Sequence, residues 1–200
     1  MVDVAQLTEP VQRFFIRQRT SNEAVPGPRL PDGMKIRRRK DHQLAACTRL
    51  LGLVSSEDKY PLLPRPLARR EWLTGPELLD AWTAEQDSTI QGHVAITRVD
   101  VNPTTALRWR EVTGRPASEL AGICRFFVRP RVRNHGVGSA LLDTAVAECR
   151  ARGLLPVAEV VSTSRQGVPL FDRAGWRLVE MYPCGKRNDG HEAYMYVAPF

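Results

Sequence analysis

The sequence predicts an α/β domain, a mixed sheet with helices interleaved, and three observations predict it. Short runs rich in valine, isoleucine and aromatic residues alternate with segments whose apolar residues recur at helical spacing. Residues 81–99 read as two strands around a turn at Asp87 and Ser88. The run ELAGICRFFVRP at 119–130 is apolar without alternation, as in a mid-sheet strand buried on both faces, and passes through a glycine-containing turn into a helix. At 200 residues and 42% hydrophobic, the chain can bury one core and is short for two.

In chain order, Thr8, Glu9 and Pro10 mark a helix start, with Val11, Phe14 and Phe15 on one face up to about Gln18. The following TSNEAVPGPRLPDG carries three prolines and two glycines and reads as a linker. Residues 1–33 are therefore an appended helix and tether, and the domain proper spans 34–200. There, MKIRRR is a first strand, and DHQLAACTRLLGLV a helix capped by Asp41 that buries Leu44, Cys47, Leu50 and Leu51. Residues 55–79 are rich in turn signals, with a short helix expected at GPELL (75–79). After the two strands of 81–99, a short helix falls around TALRWREVTG. The helix after Gly136 has the clearest pattern, with Val137, Leu141, Ala145 and Cys149 four apart and Gly153 as its stop. LLPVAEVVS is then a strand, SRQGVPLFDRAG a short helix, and WRLVEMY and AYMYVAP two last strands.

Composition narrows the function classes. Residues 1–40 hold nine Lys/Arg against four Asp/Glu, so +5 of the formal +7 lies in the first fifth of the chain. KIRRRK could touch phosphates, but a charged edge strand that resists edge-to-edge pairing explains it more simply, and nucleic acid is not the expected partner. Cys47, Cys124, Cys149 and Cys184 stand singly with no metal-ligand spacing, so reduced thiols are expected and no metal site. No window reaches the roughly eighteen apolar residues of a membrane span, and the N-terminus lacks a signal-peptide pattern. A cytoplasmic location is the default.

The stretch RFFVRPRVRNHGVGSALL is an anion site in outline. The first N–H groups of a helix have no intrahelical partner, and the macrodipole adds about half a positive charge there. Gly136 and Gly138 let a ligand approach the backbone, while Arg129, Arg131 and Arg133 surround it with positive charge. A phosphate or pyrophosphate is the ligand class implied. The dinucleotide fingerprint needs a glycine where Leu141 stands, and the P-loop needs Gly-Lys-Ser/Thr, so both are excluded.

The remaining pattern, R-x-x-G-x-G at 133–138 between an apolar strand and an amphipathic helix, resembles motif A of the GNAT N-acetyltransferases. SRQGVPLFDRAGW resembles the family's following motif and IQGHVAIT its third strand, so the resemblance covers roughly 35–198. It implies the GNAT fold, a mostly antiparallel central sheet splayed between its fourth and fifth strands. It also implies acetyl-CoA as co-substrate and a primary amine as acceptor, acetylated by direct attack in a ternary complex; a homodimer is common in the family. Carried over by position, the backbone of Phe127 and Val128 would pair with the pantetheine arm. The amides of Arg133, Asn134, His135, Gly136, Val137, Gly138, Ser139 and Ala140 would cradle the pyrophosphate. Ser164 stands where the family usually has Asn beside the CoA chain, and a backbone N–H near Val128 would serve the oxyanion.

Acetyl transfer needs a base, an oxyanion site and a departing thiolate. The region resembles the ribosomal-protein alanine acetyltransferase branch, where a Glu lies twelve residues before the helix tyrosine. Glu159 lies twelve before Phe171 and is the implied base. Phe171 itself departs from the family, because phenylalanine cannot protonate the thiolate. Water, or a hydroxyl of Tyr182, Tyr194 or Tyr196, would have to serve. The departure keeps a second reading open, a weak or inactive acyl-CoA-binding module acting as a sensor or interaction partner. His93 reads as structural, and Trp82, Trp109 and Trp176 stand at core or acceptor-rim spacing, with the core favoured.

Overall fold

The computed structural model describes residues 30–61, 69–184 and 190–199. Seven strands and five helices follow one another as β1 (Lys35–Arg38), α1 (Leu44–Asp58), α2 (Arg69–Leu73), β2 (Leu78–Gln86), β3 (Thr89–Arg98), α3 (Pro103–Thr113), β4 (Leu120–Val128), α4 (Val137–Ala151), β5 (Leu155–Val161), α5 (Gly167–Arg173), β6 (Arg177–Pro183) and β7 (Glu192–Val197). They form one sheet in the order β1-β2-β3-β4-β5-β7-β6. Every neighbouring pair is antiparallel except β4 and β5. The α/β class and the mixed, mostly antiparallel sheet are as the sequence predicts. The helix and linker expected before residue 30 lie outside the described residues.

Alternation along the strands sends side chains to two differently covered faces. One face receives α4 and α5: Val137, Leu141, Leu142, Ala145 and Cys149 pack with Val94, Ile96, Ile123, Ala158 and Phe171. Each fully buried leucine there is worth about 2 kcal/mol over an exposed one. Burial among these apolar neighbours also pushes the Cys149 thiol up to about 12. On the other face, α1 and α2 cover Ile90 and Phe127, while α3 seats Trp109 on Val157, Met195 and Val197. Trp82, Trp109 and Trp176 are all buried.

Three local readings change. Asp41 does not cap α1; it begins a short 3-10 turn, and the Gln43 side chain accepts from the Lys40 N–H at 2.7 Å. The helix then runs to Asp58, where Lys59 takes a left-handed φ of 55°. No helix forms at GPELL. Leu78 N–H closes a turn on the Gly75 carbonyl at 3.0 Å, and Leu78 pairs with Thr97, so sheet pairing overrides helix propensity. A β-carbon at Gly75 would lie 2.5 Å from the Glu77 carboxylate and 2.8 Å from the Arg125 guanidinium, so a larger residue would push this ion pair aside. Strand β4 lies mid-sheet and is buried on both faces, as its apolar run predicts, with Ala121 and Ile123 in the core on the α4 side and Leu120 and Phe127 in the clusters on the other.

Two irregularities of β4 shape everything nearby. Its pairing with β5 covers only Leu120–Gly122 against Leu155–Val157, beyond which the two strands separate. Its register with β3 slips between Ala95↔Cys124 and His93↔Phe127, a bulge in which Arg125 takes φ 49°. His93, fully buried, braces the bulge. Arg39 can only donate, so His93 Nε2 accepts from it at 3.0 Å, and the proton lies on Nδ1, which donates to the Arg125 carbonyl at 2.7 Å. The imidazole also stacks on Phe127 at 5.1 Å.

Burial, ahead of the nearby arginines, pushes the His93 pKa down to about 3. The unfolded chain therefore binds a proton that the folded one refuses between about pH 6.5 and 3, and stability is lost as pH falls through that window. Urea titrations of the wild type should lose up to about 1.4 kcal/mol per pH unit more than those of His93→Gln below pH 6. Equal slopes in the two proteins would show that His93 is not held neutral.

Candidate active site

Between β4 and α4 the chain turns sharply. Pro130–Val132 forms a 3-10 turn, Asn134 takes φ 62°, and Gly136 takes φ 77° at the N-cap of α4. Only glycine adopts the Gly136 conformation without strain. No side chain caps the helix, and the amides of residues 134–139 have no acceptor among the described residues. Two amides at the ends of the expected cradle are engaged internally: Arg133 N–H donates to Pro130 at 3.3 Å and Ala140 N–H to Gly136 at 3.0 Å. The donor run is thus shorter than the sequence reading gave it. Gly138 is different again, since a β-carbon there would meet nothing closer than Leu170 at 3.7 Å. The chain itself does not demand glycine at that position; close approach from outside would.

Two of the three arginines of the turn, Arg129 and Arg133, have partners within the chain. Arg133 pairs with Asp58 at the end of α1 through Nη2 at 2.5 Å and Nη1 at 3.2 Å, and its Nε donates to the Val128 carbonyl at 3.0 Å. It ties the turn to both β4 and α1. Arg129 donates to the Ile90 carbonyl at 3.2 Å. His135 is exposed and its Nδ1 donates to the Arg133 carbonyl at 2.7 Å.

This turn opens onto the separation of β4 and β5. Arg129 N–H bonds to Gln91 on β3 at 2.7 Å, so strand alternation turns the Val128 N–H away from β3, toward the side that β5 has left. Across the gap, Ser164 Oγ accepts from Gly167 N–H at 3.1 Å and starts α5. Phe171 is buried, edge-on to Trp176 at 4.8 Å and stacked on Tyr196 at 5.5 Å.

The sequence of residues 46–176 matches the model of the Acetyltransferase (GNAT) family. The chain belongs to that family. No curated protein matches this chain's sequence. Among solved structures, the GNAT fold of this chain resembles a GCN5-related N-acetyltransferase from Kribbella flavida, at 18% identity and TM-score 0.63, over 85% of this chain and 99% of that one. It also resembles the ribosomal-protein-S18-alanine N-acetyltransferase of Escherichia coli, at 17% identity and TM-score 0.57, over 83% and 93%. NAA60 of Arabidopsis thaliana in complex with acetyl-CoA aligns at 16% identity and TM-score 0.61, over 82% and 97%.

On the face opposite α4, the hydroxyls and carboxylates of this GNAT domain are mostly committed. Glu159, exposed, accepts from Trp109 Nε1 at 3.1 Å and from the Tyr182 hydroxyl at 2.8 Å. Burial and the Glu159 charge both raise the Tyr182 pKa. Arg108 lies over the Tyr182 ring at 4.3 Å and pairs with Glu180. On the α4 and α5 face, Tyr196 donates to Asp172 at 2.9 Å.

Three features at this site have weak sequence signals. Arg125, only 4% exposed, pairs with Glu77 and lies over Trp72 at 5.9 Å; an arginine inside an apolar strand run was the available hint. Tyr60 comes from a loop with no pattern, yet its hydroxyl accepts from the Phe126 N–H of the bulge at 3.1 Å. Gly167 gives no signal at all. A β-carbon there would lie 2.7 Å from Ser164 Oγ and 2.9 Å from Val160. Gly167→Ala should therefore destabilise the protein by about 1–3 kcal/mol through overpacking, measured by urea unfolding; a neutral change would mean that Ser164 can yield.

Proposed function

We propose that this protein transfers an acetyl group from acetyl-CoA to a primary amine by direct attack in a ternary complex. One observation carries the reading: a row of uncommitted backbone amides at the start of α4 opens onto the gap where β4 and β5 separate. The amides of Asn134, His135, Gly136, Val137, Gly138 and Ser139 suit a pyrophosphate, which needs several N–H donors on a helix dipole. The Gly138 position leaves room for it. The backbone of Phe127 and Val128 then pairs with the pantetheine arm, and Ser164 and Phe171 line the opposite wall. Family membership and acetyl-CoA-bound neighbours support the same assignment.

In this reading the Val128 N–H, turned away from β3, donates to the thioester oxygen as negative charge develops there. Glu159 takes the proton of the attacking ammonium. Its carboxylate is held in place by Trp109 and Tyr182, and its exposure leaves it open to an incoming amine. Loss of the usual tyrosine at Phe171 leaves the thiolate to take its proton from solvent.

Calorimetry with acetyl-CoA tests the cofactor assignment. Gly138→Asp should weaken binding by about two to three orders of magnitude, since like charges about 4 Å apart at an effective dielectric of 20 repel by about 4 kcal/mol. Circular dichroism should stay unchanged, because a β-carbon at 138 meets Leu170 and Val128 only at ordinary contact distance. Undiminished binding by a folded Gly138→Asp protein would remove the pyrophosphate from this turn. An amine screen against the same protein then identifies the acceptor, and Glu159→Gln should lower the rate by about 100-fold or more.

A further inference from the structure

The oxyanion of acyl transfer is ordinarily met by more than one donor, and the tyrosine hydroxyls first considered for this chemistry are largely spent. Tyr196 donates to Asp172 and Tyr182 to Glu159. Phe171 offers none.

Tyr60 remains. Its oxygen accepts the Phe126 N–H at 3.1 Å, so one lone pair is used while its own proton has no acceptor among the described residues. Accepting that bond polarises the O–H and strengthens it as a donor. The ring is fixed edge-on to Trp72 at 5.7 Å and tilted against Phe127 at 6.5 Å, so the hydroxyl is positioned before any ligand arrives. It sits on the bulge of β4, two residues before Val128, beyond the point where β4 leaves β5.

We propose that Tyr60 is a catalytic residue, a side-chain oxyanion donor whose O–H hydrogen-bonds to the carbonyl oxygen of the acetyl thioester beside the Val128 N–H. This inference rests on the acetyl-CoA reading above and names a residue that reading does not use. As the amine lone pair forms the new N–C bond, the C=O π pair moves onto oxygen. The Tyr60 proton stays on Tyr60 and is shared with that oxygen. Collapse restores the C=O bond and breaks the C–S bond, the electron pair leaving with sulfur as the thiolate. Glu159 takes the first ammonium proton before attack, the nitrogen gives its second to solvent once the N–C bond has formed, and the thiolate is protonated by solvent. Burial raises the Tyr60 pKa, which suits it to hold a hydrogen bond to an alkoxide and makes it a poor proton donor to a thiolate.

The test is infrared difference spectroscopy of the full-length protein with acetyl-CoA carrying a ¹³C-labelled thioester carbonyl. No acceptor is needed. Bound to the wild type, the carbonyl band should shift to lower frequency than in free acetyl-CoA, and in Tyr60→Phe it should move back toward the free value. Calorimetry should find affinity for acetyl-CoA reduced by less than about tenfold, the worth of one neutral hydrogen bond. The phenylalanine ring keeps the packing against Trp72 and Phe127, and a thermal melt checks that it does. A shifted band that survives in folded Tyr60→Phe, or that is lost instead in Tyr194→Phe, overturns the assignment of Tyr60 and leaves the cofactor reading standing. A wild-type protein that binds no acetyl-CoA overturns both.

Discussion

The hydrogen bond from His93 Nδ1 to the Arg125 carbonyl is the constraint on which this architecture turns. A non-glycine residue at φ 49° costs about 1–2 kcal/mol and persists only where its surroundings hold it. Arg39 fixes the histidine tautomer from β1's end of the sheet, Phe127 holds the ring in its plane, and Glu77 pairs with the Arg125 guanidinium. The bulge lets Phe127 face α1 and α2 while Ile123, Phe126 and Val128 pack on the α4 side. It also presents the Phe126 amide to Tyr60. A regular strand would spend that amide in a ladder.

The second constraint is the shortness of the parallel pairing. Three residues of β4 meet three of β5, after which β5 turns to β7 for its partners along Val157–Val161. The backbone of β4 that faces the gap is left without a strand, and polar backbone without a partner calls for a ligand or water. Helix α4 connects these two strands and packs across the sheet with its start at the mouth of the gap. Strand separation and helix N-terminus are therefore set by the same piece of chain.

Much of this was legible in the sequence because it rests on local pattern. The four-residue spacing from Val137 to Cys149, the Asp87-Ser88 turn, and the strand–turn–helix at 120–140 each report a backbone periodicity that the structure keeps. What escaped the sequence depends on pairing at a distance. GPELL has acceptable helix propensity, but Leu78 is claimed by Thr97 across the sheet and by the turn that its N–H closes on Gly75. Phosphate-facing roles for Arg129 and Arg133 followed from their number and charge; their partners, Ile90 and Asp58, lie 39 and 75 residues away. Tyr60 belongs to no periodic segment, so only the fold brings it to the bulge.

The engagement of Arg133 by Asp58 has a consequence for ionic strength. A guanidinium already neutralised by a carboxylate contributes little net field, so an anion at the start of α4 is attracted chiefly by oriented peptide dipoles. Dipoles in direct contact with a ligand are screened far less than exposed charges at a Debye length of about 8 Å in physiological salt. For the proposed pyrophosphate, salt would then act mainly on the outlying exposed Arg131 and on the rate of encounter, while contacts to the backbone amides would persist. In the proposed acetyl-CoA reading, the turn would grip its anion without depending on a basic surface.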